Sequence, residues 1–80
     1  MTELTQRIHS ILAELRPEVD YSESTDYLAD GLLDSTDIVS LVAALDARYG
    51  ISIDGTEILP EHFTNAETIA GLLGKYGVNP

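Results

Sequence analysis

Apolar residues recur at helical spacing in three separate stretches of this chain, and no two stretches alternate in a way that would let strands pair. That pattern confines the fold to helices. In the first stretch Leu4, Ile8, Ile11, Leu12 and Leu15 follow one another in steps of four, three, one and three, which places them on one helix face. Thr2 stands where an N-cap belongs, with Glu3 in the first turn. Pro17 stops the helix near Leu15 or Arg16, because the residue before a proline is driven out of the α region. The second stretch runs from Ser35 to Tyr49, with Ile38, Leu41, Val42, Leu45 and Tyr49 on one face. Asp34 or Ser35 caps its start, Asp37 suits the positive end of the helix dipole, and Gly50 is a good C-terminal cap. The third is capped by Asn65, carries Glu67 in its first turn, faces Ile69, Leu72 and Leu73 inward, and frays at Gly74 and Gly77.

The connections are informative too. Residues 17–34 hold turn formers, scattered acids and no sustained period, and are expected to drop Leu28, Leu32 and Leu33 into the core. A connection this long in a compact domain is usually functional or partly helical, and a helical turn is expected from Ser24 to Leu28. Ile51 and Ile53 alternate with polar residues, but with no partner strand they read as an extended loop. Asp54-Gly55 is a turn, and Ile58, Leu59 and Phe63 around Pro60 form a short, irregular helical segment. The expected architecture is all-α, three main helices plus a short one, with a long loop between the first and second. It spans residues 1–80 as a single domain, and Met1 and Pro80 suit a free-standing protein.

Composition narrows the partners. Fourteen Asp and Glu against four Lys and Arg give a formal net charge of −10. Phosphate backbones and anionic membrane surfaces call for clustered cations, so nucleic acid is not expected as a partner and an anionic membrane surface is disfavoured. No apolar run is long enough to span a bilayer, and MTELTQRIHS lacks the basic start and apolar block of a signal peptide. With no cysteine there is neither a disulfide nor a thiolate site, and the cytoplasm is the expected compartment. A chain of this mass folds to roughly 4,700 Å² of surface and buries about 60% of its extended area. One modest core fits that size; a deep substrate pocket beside it does not.

Catalytic constellations are correspondingly thin. His9 and His62 have no HExxH-like spacing, and the acids lack the order of an EF-hand loop. No metal site is expected, and no glycine-rich phosphate loop occurs. A Ser35/His62/Asp triad would need an oxyanion hole and a pocket. His9 reads as an exposed helix residue, while His62 has either a bland surface role or a place at the border of a functional face. Of the four tyrosines only Tyr49 is assigned to the core. The chain is therefore not read as an enzyme.

The face of the second helix opposite its apolar stripe holds Thr36, Ser40, Ala43 and Ala47, with Ala44 nearby. A solvated face normally carries long charged side chains. Either alanine serves here as a good helix former, or the patch is smooth so that another protein can approach closely.

The segment Asp30-Gly31-Leu32-Leu33-Asp34-Ser35, opening an apolar-faced helix after a long acidic loop, resembles the attachment site of acyl carrier proteins and the related peptidyl (aminoacyl) carrier domains. The resemblance covers nearly the whole chain, helix by helix. It implies a four-helix acyl-carrier-like bundle in which Ser35 is esterified with 4'-phosphopantetheine from coenzyme A. It also implies an acyl or aminoacyl cargo held as a thioester on that arm, by a monomeric protein without catalysis of its own. The implied partners are a phosphopantetheinyl transferase, an acyl- or aminoacyl-loading ligase and downstream acyl-transfer enzymes, as in fatty acid or secondary metabolite biosynthesis. Asp34 would be the acidic neighbour that partners recognise, and Asp37 either a partner contact or a plain complement to the dipole. Thr36, Ser40, Ala43 and Ala47 would form the docking face.

Physical chemistry agrees with that role. A helix N-terminus favours an anionic phosphodiester, and a tethered arm raises the effective concentration of its cargo at a docked enzyme. Ser35 read in isolation is an ordinary N-cap. Two departures from the family stand out: Thr36 where an apolar residue usually follows the serine, and Ser40, Ala43 and Ala47 where fatty-acid carriers show acidic and Met residues. Docking should then depend weakly on salt. Ile58-Leu59-Pro60-Glu61-His62-Phe63 looks like a segment of stand-alone carriers for amino acids or specialised acyl groups. If cargo enters a cleft, Leu41, Ile53, Ile58 and Phe63 are candidates to line it, with ordinary core as the other reading. The alternative function is a non-catalytic interaction domain that has the carrier-like fold and no arm.

Overall fold

The computed structural model describes residues 2–22 and 24–78; Met1 and Pro80, on which the free-standing reading rests, lie outside them. Three α-helices run in the order α1 (Glu3–Leu15), α2 (Ser35–Tyr49) and α3 (Ala66–Gly74), and no strand occurs among the described residues. Helix α1 is the middle layer, packing against both α2 and α3. The short fourth helix is not an α-helix: its place is taken by two single 3₁₀ turns, Gly55–Glu57 and Pro60–His62. Leu59 between them is extended, as the residue before a proline must be, and this divides the segment in two.

Local chemistry sets each boundary. Thr2 caps α1 by accepting the Thr5 amide, and the helix stops at Leu15, two residues before Pro17. Gly50 ends α2 in the left-handed conformation at φ 63°, which a side chain would strain. The Asp46 backbone carbonyl then accepts Ile51 N–H, and its side chain accepts Ile53 N–H at 3.0 Å, so this one residue holds the extended exit from the helix.

The core contains the expected Leu4, Ile8, Ile11 and Leu12 of α1, Ile38, Leu41, Val42 and Leu45 of α2, and Ile69, Leu72 and Leu73 of α3. Each fully buried side chain of this size contributes about 1.5–3 kcal/mol. All four Lys and Arg side chains form ion pairs, but exposed pairs are worth about 0.2–1 kcal/mol each. Apolar packing, rather than charge pairing, therefore holds the bundle.

The long loop differs from expectation in its details. Leu33 is buried, whereas Leu28 and Leu32 are only half-buried against the core. Their places are taken by Tyr21 and Tyr27, which sequence reading left outside the core and which pack edge to face with ring centroids 5.1 Å apart. Tyr49 is half-buried, with its hydroxyl enclosed. The turn in the loop lies over residues 27–31, not 24–28. Asp26 starts it by accepting the amides of Leu28 and Ala29, and Gly31 closes it at φ 72°.

Candidate functional site

Tyr27 fixes the approach to α2. Its amide donates to Thr64 O, its carbonyl accepts the amides of Leu32 and Leu33 at 2.8 and 3.2 Å, and its hydroxyl accepts Ala66 N–H at 3.2 Å. The buried ring thus ties the chain just before Asp34 to the start of α3. From this anchor the backbone enters α2 at a defined angle.

Asp34, not Ser35, is the N-cap. Its Oδ1 accepts Asp37 N–H at 2.9 Å, and Asp37 Oδ2 accepts Asp34 N–H at 3.1 Å, a reciprocal capping box. Ser35 is the first helical residue and is exposed. The capping duty that would have explained it as a structural serine is carried by its neighbour. The Ser35 hydroxyl and the amides of Ser35 and Thr36 have no hydrogen-bond partner among the described residues. An open hydroxyl beside free N–H groups at the positive end of a 15-residue helix suits a tethered phosphodiester.

Asp37 is placed differently from the expected docking residues. Its side chain is only 18% exposed, and Arg16 Nη1 donates to Oδ2 at 2.8 Å. Burial by itself raises the Asp37 carboxyl, but the Asp34 amide and Arg16 outweigh it and hold the group below the ordinary aspartate range. Arg16 is raised in turn, mainly by its hydrogen bond to Asp37 and then by the one to Glu18. The cap of α2 is thereby tied to the end of α1.

Thr36, Ser40, Ala43 and Ala47 are exposed, as expected, and Ala44 is half-buried. Sequence reading missed Val39, a large apolar side chain 65% exposed one turn beyond Ser35. Its position just off the Ile38-Leu41-Val42-Leu45 stripe was the available signal. With Ala43 and Ala47 it forms a narrow apolar strip leading away from the serine.

Leu41, Ile53 and Phe63 are buried in the core, and Ile58 is half-buried against it. His9 is half-buried on α1, against the exposed position expected. His62 Nδ1 lies 2.6 Å from Glu57 O; a carbonyl only accepts, so Nδ1 carries the proton and joins the two 3₁₀ turns. The same nitrogen lies 3.7 Å from the Glu57 carboxylate, beyond hydrogen-bond distance. No group of three or more metal-ligating side chains occurs among the described residues. No helix among them is long and apolar enough to cross a membrane.

The helical fold, though not any one residue of the site, has a counterpart among solved structures. No protein-family profile and no curated protein sequence matches the chain. A solved structure matches with a TM-score of 0.73 and 26% identity, over 89% of this chain and 99% of the other. It is the crystal structure of a Bradyrhizobium japonicum glycine:carrier protein ligase complexed with glycylated carrier protein. The matched chain is about as long as this one, so it is the small carrier of that complex. The likeness is to a carrier-protein fold, and it suggests a carrier role for this chain.

Proposed function

We propose that residues 1–80 form a single carrier domain in which Ser35 is the attachment point for 4'-phosphopantetheine. The observation that carries this reading is the division of labour at the start of α2: Asp34 caps the helix, which leaves the Ser35 hydroxyl exposed and unengaged. In the attachment step Ser35 Oγ forms an ester bond to phosphorus and gives up its proton, while the nucleotide half of coenzyme A leaves. When bound, the arm supplies a thiol that holds cargo as a thioester. The chain's own part is to present the hydroxyl on a rigid helix and to offer the Val39-Ala43-Ala47 strip, with Thr36 and Ser40, to visiting enzymes. Asp34 is the acidic residue they meet beside the serine.

The structural neighbour is a glycylated carrier protein bound to its ligase. We therefore place an amino acid, with glycine the first to try, ahead of a fatty acyl chain as cargo. An aminoacyl ligase is placed as the loading partner, alongside a phosphopantetheinyl transferase and downstream acyl-transfer enzymes. The carrier itself performs no chemistry on the cargo.

Intact mass after incubation with a broad-specificity transferase, coenzyme A and Mg²⁺ tests the attachment. Wild type should gain one phosphopantetheinyl group, and Ser35→Ala none. An unchanged wild-type mass, or a gain that survives the substitution, refutes the reading. The exposed alanine face also fits a second function, an interaction domain without an arm. That reading requires partner binding indifferent to Ser35→Ala and a wild type that the transferase leaves unmodified.

A further inference from the structure

The acidic residues flanking Ser35 are not equivalent. Asp37 Oδ2 accepts two hydrogen bonds, from the Asp34 amide at 3.1 Å and from Arg16 Nη1 at 2.8 Å. Arg16 lies just past the end of α1, and its Nε donates to Glu18 Oε1 at 3.1 Å. The guanidinium is therefore held from two sides, with its planar fork spanning two carboxylates. Its bond to Asp37 crosses 21 residues, including the whole long loop. The other three cations lie elsewhere: Arg7 pairs with Glu3 within α1, Arg48 with Glu14, and Lys75 with Glu57.

Two consequences follow for the serine. The Asp37 carboxylate is kept against the Asp34 amide, so the turn on which Ser35 sits is fixed from outside the helix as well as from within. The Asp37 charge is also matched by a cation and less exposed, while Asp34 is exposed and has no cation partner among the described residues. We propose that Arg16 is the positioning residue for Ser35: it locks the first turn of α2 through Asp37 and withdraws the Asp37 charge from the docking surface, leaving Asp34 as the acid that partners read. The positioning role rests on the attachment function proposed above; the lock itself does not.

Amide hydrogen exchange and the rate of transferase modification, followed on the full chain, test the two parts separately. Arg16→Met, which retains much of the aliphatic stem, should speed exchange of the Asp34 and Asp37 amides several-fold while core amides such as Leu45 and Ile69 stay unchanged. It should also lower the modification rate at moderate salt. Because a freed Asp37 carboxylate joins the docking surface, it should make that rate more salt-dependent than in wild type. Arg16→Lys keeps a cation at Asp37 and should restore the wild-type salt dependence. On an Asp37→Asn background Arg16→Met should add nothing to either readout. First-turn exchange that is unchanged, or raised evenly through the chain, overturns the lock. Additive effects of the two substitutions overturn the coupling through Asp37. If wild type is never modified, the attachment reading fails, while the exchange measurements still decide the lock. Should Arg16→Met not fold, Arg16→Lys and Asp37→Asn carry both tests.

Discussion

Helices α2 and α3 begin with the same device and present it to opposite sides. Each starts with a reciprocal capping box, Asp34 with Asp37 in α2 and Asn65 with Thr68 in α3. At α3 the box is neutral and turned inward. The Asn65 side-chain amide donates to Thr25 O, Thr64 and Thr68 share a hydroxyl contact, and the first helical residue, Ala66, is buried with its amide held by Tyr27. At α2 the box is acidic and its first helical residue is an exposed serine. A helix start thus becomes a candidate for chemistry when a neighbour takes over its capping and the protein leaves its first residue uncovered. The capping motif by itself does not distinguish the two ends.

The most demanding test of this contrast is to exchange the first residues. Ser35→Ala should abolish phosphopantetheinylation by intact mass while changing stability by less than about 0.5 kcal/mol, as surface substitutions usually do. Ala66→Ser places a hydroxyl at the corresponding position of α3 and should gain no modification in a Ser35→Ala background, because that position is covered. Modification at residue 66 would show that an accessible helix start plays no part in the choice.

Next in size is the inward end. Tyr27→Phe keeps the ring but removes the acceptor of Ala66 N–H at a buried site. Leaving a buried donor unsatisfied costs about 1–3 kcal/mol, so chemical denaturation should show a loss in that range. A loss well below it would mean that the amide finds another partner and that α3 does not rely on the loop.

The caps themselves should be about equal in stability and unequal in function. Asn65→Ala and Asp34→Ala should each cost about 1 kcal/mol. Only Asp34→Ala should also slow modification by the transferase, since only that side chain stands beside the serine. Equal slowing by both would reduce the role of Asp34 to that of a cap.

Much of this molecule was legible in the sequence because helices advertise themselves locally. The i, i+3, i+4 spacing of Leu4, Ile8, Ile11 and Leu12, the glycine after Tyr49 and the proline after Arg16 each act within a turn or two of the chain. What escaped were the long-range decisions. Tyr21 and Tyr27 lie in a stretch without period, and their burial depends on meeting each other and the start of α3. The choice between Asp34 and Ser35 as cap turned on backbone geometry that both residue types allow. Arg16 reads as the last residue of a helix before a proline, and nothing nearby in sequence points to Asp37. The short, irregular helical segment takes the form of two 3₁₀ turns for a local reason: Pro60 keeps Leu59 extended and divides it.

The smallest expected effect separates the two caps by their response to acid. The folded state holds the Asp37 carboxyl below its ordinary range, so the ionised group stabilises the fold above the unfolded-state value of about 3.9. That contribution is lost as pH falls through the lowered folded value. Wild type should therefore exceed Asp37→Asn in stability by a constant margin at neutral pH, under about 1 kcal/mol for a pair this near the surface. The margin should shrink as pH falls below the unfolded-state value. Thr68→Val removes the corresponding side chain of the neutral box, where neither Asn65 nor Thr68 titrates, and its cost should stay flat over the same range. Paired denaturation curves across that window decide the matter. A margin for Asp37→Asn that persists into acid would mean the first turn of α2 is held by hydrogen bonding alone, leaving the Arg16 charge no part in presenting Ser35.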